Sequence, residues 1–449
     1  MDSGVGINVN IDWSDVCREA EGEFVRYLQI DSSNPPGREA PAAHFLGALL
    51  EKEGIIPEYI EIKDGRKAIF ARLKGADDSR SLMLASHTDV VPARKEDWTM
   101  DPFGGEIIEG KIYGRGAVDM KSVTIFHLFC MILIKRFKIP LRRDLVFLAV
   151  PDEETGSRFG MKWLVDNRPE LFDCDFSLNE GASGLESFAS SPLDIFQVAV
   201  SEKRMAPFKL TVKGTPGHGS KPTTDNPIVH LVEACERLIH WQRDIDVSEQ
   251  NISLVRTLAD KGLINRDFDF KKLRDHGLMS ADMEAGLTNT INLTIFSGGF
   301  KFNVIPGSAE ALFDCRLLPD MNLDDWRAQV ESQVNDDRVA FSYALDEIPN
   351  EPEPVVSEWG NELSIAIESS VKDFFEDAVV SQTTSTVGTD NRFLRTLGIP
   401  SYGFIPCLLS QAELDGFHAN DEFLTQDNFK LGVELMWSVV AKVVCSQQP

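Results

Sequence analysis

Two strings in the first third of the chain combine residue types that hold metal ions. Ser86-His87-Thr88-Asp89 is followed by Gly114-Arg115-Gly116-Ala117-Val118-Asp119-Met120-Lys121, which sets Asp119 32 residues after His87. Pro151-Asp152-Glu153-Glu154-Thr155-Gly156 and Asn179-Glu180-Gly181 then add carboxylates. A single His at a strand end is usually a satisfied structural residue. Several such groups at matching strand ends read instead as a carboxylate-rich metal site. Two zinc ions lying close together need a ligand that bridges them, which a carboxylate with two oxygens can do and a neutral imidazole cannot. Asp119 is the natural bridge. His87 and Glu180 would complete one ion, and Glu154 with a second, distant His the other. The best candidate for that His is His418, in the polar loop Gly416-Phe417-His418-Ala419-Asn420-Asp421-Glu422.

Glu153 and Glu154 are adjacent, and at a strand end successive side chains point to opposite sides. One can therefore hold metal while its neighbour takes a proton. Glu153 would deprotonate a water that attacks a carbonyl carbon, then pass the proton to the leaving nitrogen. Asp89 would accept the other imidazole N–H of His87 and orient that ligand.

The elements that must position these residues follow from periodicity. Trp13 to Ile30 has helical spacing and is broken by Asn34-Pro35-Pro36-Gly37; a second helix starts at Pro41 and stops at Glu53 before Gly54. Short β-type runs follow over Glu58 to Ile62, Ala68 to Leu73 and Leu82 to Ser86. Lys121 to Lys135 reads as a buried helix, and Asp144 to Val150 and Phe176 to Asn179 as buried strands. Strands alternating with helices predict an α/β fold with a mixed, mostly parallel sheet, whose ligands gather beyond the carboxyl ends of the strands. His87, Glu153, Glu154 and Glu180 are each expected just past such an end.

From Ile195 the pattern turns to strands in alternation: Ile195 to Val200, Phe208 to Val212, Ile291 to Phe296 and Ala309 to Arg316, with helices over Pro227 to Gln242 and Leu323 to Val334. Two helices and about four antiparallel strands predict a smaller α+β sandwich over residues 200–347, inserted in a catalytic domain made of 1–199 and 348–449. Val247 to Leu287 is a charged, helix-prone insertion within it, and Pro349 to Pro354 is the return linker.

Composition narrows the partners. At 449 residues, two domains are the default, and 43% hydrophobic with 26% charged residues is the balance of a globular protein. The 71 acidic and 45 basic side chains leave a formal charge of −26, which argues against nucleic acid. The longest apolar stretch, Ile125 to Ile134, is too short to span a bilayer. Seven scattered cysteines without a Cys-x-x-Cys pair, and no secretory signal, place the protein in the reducing cytoplasm.

Ser-His-Thr-Asp-Val-Val-Pro, Gly-Arg-Gly-Ala-Val-Asp-Met-Lys, Pro-Asp-Glu-Glu-Thr-Gly and Asn-Glu-Gly, in this order, resemble the dinuclear zinc family of aminoacylases, carboxypeptidases and succinyl-diaminopimelate desuccinylase. The resemblance implies His87, Asp119, Glu154, Glu180 and His418 on two zinc ions per chain, with Co2+ or Mn2+ as possible substitutes. It also implies Glu153 as general acid/base, Asp89 behind His87, and a cis peptide between Asp119 and Met120.

Gly214-Thr215-Pro216-Gly217-His218-Gly219-Ser220 resembles the family's loop whose His enters the partner's active site to stabilise an oxyanion, which implies a homodimer. Asn303-Val304-Ile305-Pro306 and Gly388-Thr389-Asp390-Asn391-Arg392 resemble segments that bind the substrate's carboxylate, with Asn303, Thr389 and Arg392 as contacts. The function implied is hydrolysis of an amide next to a free carboxylate, most of all in an N-acyl-L-amino acid. Carboxypeptidase, dipeptidase or desuccinylase activity are the alternatives within the same chemistry. A phosphate-binding loop lacks its Gly-Lys-Ser/Thr ending, and Cys407 lacks a basic partner for nucleophilic attack. A catalytically idle binding protein is the competing reading from another class, and the retained Glu153 speaks against it.

Overall fold

The computed structural model describes residues 10–186, 194–245, 269–275, 281–347 and 351–446, with positions 250, 252, 256 and 259 between them. Its main sheet has eight strands in the order Glu58–Lys63, Arg66–Leu73, Arg143–Val150, Asp77–His87, Phe176–Leu185, Ser401–Leu409, Ile195–Glu202 and Val379–Ser385. Arg143–Val150, Asp77–His87, Phe176–Leu185 and Ser401–Leu409 run parallel to one another, with an antiparallel hairpin beyond one edge of this block. On the other side, Ile195–Glu202 lies antiparallel to Ser401–Leu409 and parallel to the edge strand Val379–Ser385.

Why these strands are apolar throughout is visible in their packing. Leu82 and Leu84 join one core cluster while Met83 and Ala85 join another, and Leu145, Phe147 and Ala149 part from Val146, Leu148 and Val150 in the same way. Period-two alternation thus feeds two cores, one on each face, and both faces must be covered. The first face carries the helices Trp13–Leu28, Ala40–Lys52, Lys121–Arg136, Glu362–Phe374 and Gln426–Val444. The second carries the short helices Met161–Asn167 and Asn391–Thr396. Lys121–Arg136 is buried from Lys121 to Ile134, as an apolar helix between a sheet and outer helices should be. Its Phe126 packs 5.2 Å from the ring of Phe429 and fills the space left by Gly432, where a Cβ would collide with the Phe126 ring.

The second sheet is antiparallel, in the order Thr290–Gly298, Ser308–Leu317, Phe208–Lys213 and Val339–Tyr343, with Arg204–Met205 beside Ser308–Leu317. Phe208, Leu210 and Val212 pack beneath the helices Pro227–Ile239 and Leu323–Val334, while Lys209, Thr211 and Lys213 face away. This one-sided burial makes a two-layer α+β unit inserted in the chain of the larger α/β unit.

Ile195–Glu202 departs from the expectation that it opens the second sheet. It is an interior strand of the first, buried on both faces, which its run Ile195-Phe196-Gln197-Val198-Ala199-Val200 suits better than a half-exposed position. The fourth strand of the small sheet is Val339–Tyr343 instead. Most of the expected insertion over Val247 to Leu287 lies outside the described residues; within it stand the helices Phe270–Asp275 and Ala281–Leu287. The beginning of the expected linker at Pro349 lies outside them as well. Asp119–Met120 is a cis peptide bond. No described helix is long and apolar enough to cross a membrane.

Candidate metal centre

His87 is the last residue of its strand, level with Val150 on the neighbouring parallel strand. Its Nε2 lies 3.0 Å from Oδ1 of Asp119 and 3.3 Å from Oε1 of Glu180. His418 arrives from the far end of the chain, with Nε2 3.1 Å from the other oxygen of Asp119 and 3.2 Å from Oε2 of Glu154. The two oxygens of Asp119 thus face two different sets of ligand atoms. Metal-competent groupings also place His87 with Asp119 and Glu154, and with Glu153 and Glu180. Four carboxylates and two imidazoles make a mixed oxygen and nitrogen donor set, the chemistry that suits zinc and related divalent ions.

The electrostatics follow from packing acids together. Burial and then the neighbouring Asp119 push the Glu180 carboxyl up to about 8. Burial also raises Glu153 well above the ordinary carboxyl range, with Glu180 and Asp390 adding to it. The two imidazoles do the reverse for Asp119, holding it well below its usual value against its burial. Asp119 and Glu154 in turn lift His418 to about 10. A buried cluster with this surplus of carboxylate is where a divalent cation gains most.

The local backbone differs from expectation at two of the candidate site positions. Glu180 does not lie past its strand, because Phe176–Leu185 continues beyond it. The pairing with Ser401–Leu409 skips between Asn179↔Gly403 and Ser183↔Ile405, so Glu180, Gly181 and Ala182 form an irregularity in the ladder. Such a bulge re-aims a side chain. Gly181 holds φ 142° there, and a Cβ would lie 3.2 Å from Cα of Gly403. Glu153 and Glu154 diverge through a tight helical turn, not through strand alternation. Asp152 enters the left-handed region at φ 74° and Glu153–Thr155 forms a 3-10 turn after it.

Asp89 has a wider role than orienting one imidazole. Nδ1 of His87 is 2.9 Å from the backbone oxygen of Asp89 and 3.5 Å from its carboxylate. The carboxylate oxygens accept the backbone N–H groups of Glu153 and Glu154, each at 3.1 Å. Asn34, which sequence reasoning missed, donates from Nδ2 to Asp89 at 2.9 Å and to Asp152 at 3.1 Å, tying the turn to the ligand strand. Glu422 was missed too. Fully buried, it accepts from Arg115, Gly116, Val118 and Asp119, while Arg115 donates to the backbone oxygen of His418. The loops carrying Asp119 and His418 are thereby locked together. Acid residues inside the quoted glycine-rich and His418 strings were the available signal for Glu422; for Asn34 there was none beyond a polar residue before Pro35.

The residues expected to hold substrate occupy two places. Thr389 gives its hydroxyl to Glu202 at 2.6 Å, and Asn391 braces the backbone oxygen of Glu180 at 3.0 Å. Arg392 is buried on the same segment near Glu153, with Glu351 as its closest carboxylate at 3.7 Å. His218 and Asn303 lie together on a ribbon in which Gly217–His218 pairs with Val304–Ile305. Among the described residues no hydrogen bond or ion pair links that ribbon to the cluster around Asp119. Phe404, Pro406 and Leu409 are buried in the strand Ser401–Leu409. Burial drives the Cys407 thiol far up, which agrees with its exclusion as a nucleophile.

The description of peptidase family M20/M25/M40 matches residues 83–442. Aminoacylase-1 of Sus scrofa is 30% identical over 421 residues, 92% of each chain, and aminoacylase-1 of Homo sapiens is 29% identical over 421 residues with the same coverage. Among solved structures, the M20 family metallo-carboxypeptidase Sso-CP2 from Sulfolobus solfataricus superposes with a TM-score of 0.70 at 19% identity, covering 94% of this chain and 98% of that one. Human carnosine dipeptidase 1 gives a TM-score of 0.67 at 16% identity, covering 96% and 99%.

Proposed function

The chain belongs to peptidase family M20/M25/M40, a family of metal-dependent hydrolases, and on that premise we propose that it cleaves N-acyl-L-amino acids at the amide bond. The observation that carries this reading is the division of the Asp119 oxygens between His87 and His418, with Glu153 beside them. His87, Asp119 and Glu180 would hold one zinc ion, and Asp119, Glu154 and His418 the other. When bound, the two ions supply polarisation of the amide carbonyl and acidify the attacking water. Glu153 accepts the proton of that water at its carboxylate and returns it to the leaving nitrogen. Asp89 and Asn34 keep the Glu153–Glu154 turn in place while this happens.

Arg392 binds the free carboxylate of the substrate. Its guanidinium is buried, donates no hydrogen bond among the described residues, and lies close enough to Glu153 for their charges to interact. A charge-assisted bond of this kind contributes about 1.5–3 kcal/mol, so the metal-loaded enzyme should prefer N-acyl amino acids over their carboxamides by about 10- to 100-fold in kcat/KM. Equal rates would remove the carboxylate from the reading. Faster turnover of dipeptides than of acyl amino acids would transfer the chain to the dipeptidase and carboxypeptidase reading.

Residues 200–347 are proposed as the inserted dimerisation domain. Among the described residues the strand Thr290–Gly298 is a sheet edge, and Phe300 at 83% and Phe302 at 98% exposure stand beside it. An open edge with bare aromatic rings supports a second copy as its partner. Nδ1 of His218 lies 2.7 Å from the Ser220 hydroxyl and accepts the Ser220 backbone N–H at 3.2 Å; in the tautomer in which Ser220 donates both contacts, Nε2 carries the proton an oxyanion donor needs. Replacing Phe300 and Phe302 with Asp is expected to yield monomers by sedimentation that retain metal but lose activity through loss of the partner subunit's His218. Fully active monomers would remove that role. All seven cysteines are free, which supports the reducing cytoplasm as the location.

A further inference from the structure

A narrow cleft, with room of about 10 Å³, lies where the second sheet leaves the first, lined among others by Lys203, Arg204, Arg392, Arg395, Glu202 and Glu351. Three of its four cations are committed. Arg395 donates to Glu202 at 2.9 Å and to the backbone oxygens of Ala199 and Ser401. Lys203 donates to the backbone oxygens of Ala285 and Thr288 at 2.8 and 2.7 Å. Arg204 pairs with Glu353 at 2.6 Å. Glu202 is taken as well, by Arg395 and Thr389.

What remains is the pair Arg392 and Glu351, each with a side chain only 8% exposed. Their nearest approach, Nε to Oε2 at 3.7 Å, is too long for a hydrogen bond, and Nε has no other partner. Glu351 is anchored from its other oxygen, which accepts the backbone N–H of Met205 at 3.2 Å, at the start of the second sheet. Gly388 leaves room for the guanidinium, since a Cβ there would collide with Nη1 of Arg392. A buried guanidinium beside a carboxylate it does not bond is an arrangement that a better-placed carboxylate can displace, because unpaired buried donors are costly.

We propose that Glu351 is an internal rival for the Arg392 carboxylate site: it occupies the guanidinium's field until a substrate carboxylate takes its place. This inference rests on the reading of Arg392 as the substrate-carboxylate contact. Glu351 then sets affinity without touching the reacting atoms. Because the same side chain holds Met205, displacement of Glu351 also loosens one of the two chain connections to the second sheet. Carboxylate recognition and movement of that sheet become one event. Neutral analogues, which do not compete for Arg392, leave the contact intact.

Glu351→Gln removes the rival charge, and its amide oxygen can still accept from Met205. With the metal-loaded enzyme, N-acetyl-L-leucine as substrate and N-acetyl-L-leucinamide as control, KM for the acid should fall about three- to tenfold. KM for the amide should stay, and kcat should not rise. The inhibition constant of acetate, read in the same assays, should fall with the KM of the acid. In an Arg392→Gln background the effect of Glu351→Gln should vanish. Equal shifts for acid and amide, or a shift that persists without Arg392, would overturn the proposal. Arg392→Gln by itself separates the two readings. If it abolishes the preference for acid over amide while Glu351→Gln changes nothing, only the rival role fails. If it leaves the preference intact, the carboxylate reading fails and the rival role with it. Should Glu351→Gln unfold, Glu351→Asp, whose charge is drawn back by one methylene, must lower KM for the acid alone; an unchanged KM in that variant overturns the proposal.

Discussion

Glu153→Gln is expected to lower kcat by about 10²- to 10⁴-fold, the usual contribution of a positioned general base and acid. Its zinc content should equal that of the unaltered enzyme. The expectation rests on separation of roles within one turn. Glu154 faces His418 and Asp119, whereas Glu153 groups with His87 and Glu180 and lies within the electrostatic reach of Arg392. The variant keeps the shape of the side chain, and the backbone N–H of residue 153 still bonds to Asp89. A second measurement guards against a trivial loss of structure. Burial raises the Glu153 carboxyl in the folded chain, so its ionised form is less favourable folded than unfolded. Its contribution is favourable below the ordinary carboxyl range and is lost as pH rises toward the raised folded value. At neutral pH, metal-depleted Glu153→Gln should therefore melt no lower than the metal-depleted parent. Lower melting with lost activity would point to a structural role; full activity would end the proposed mechanism.

How much of this was legible in the sequence depends on the range over which each residue acts. Leu82-Met83-Leu84-Ala85 announces a buried strand because alternate side chains feed two cores, one on each face. Candidate ligands at its end could be proposed because carboxylate and imidazole at strand ends are chemically conspicuous. Val379–Ser385 was harder, since Ser381, Gln382, Thr383 and Thr384 carry little hydrophobic signal. Ile195–Glu202 was recognisable as a strand but not assignable to a sheet, because an apolar run does not name its partner. The turn at Asp152 and the bulge at Glu180 are set by contacts remote in sequence, from Asn34 and from Gly403. Glu422 bonds to residues some three hundred positions earlier, so its role follows only from the folded arrangement.

Asp119→Ala and His87→Ala should separate the bridge from a terminal ligand. Oδ1 of Asp119 lies 3.0 Å from His87 and Oδ2 lies 3.1 Å from His418, so deleting this carboxylate removes a donor from both positions at once. Removing His87 takes a donor from the side shared with Glu180, while Glu154 and His418 keep their geometry with Asp119. Elemental analysis should find well under one zinc per chain for Asp119→Ala, and roughly one for His87→Ala, because each ligand lost lowers affinity at the position it serves. The loop itself should survive either change. Glu422 holds the backbone of Gly116, Val118 and Asp119 independently of the Asp119 side chain, and Arg115 keeps the His418 loop docked. A difference in zinc content would therefore report ligand count and not collapse of the site. His418→Ala completes the comparison by emptying the other position. Equal zinc loss in Asp119→Ala and His87→Ala would show that one carboxylate does not join two ions, and the division of its oxygens would then serve a single metal.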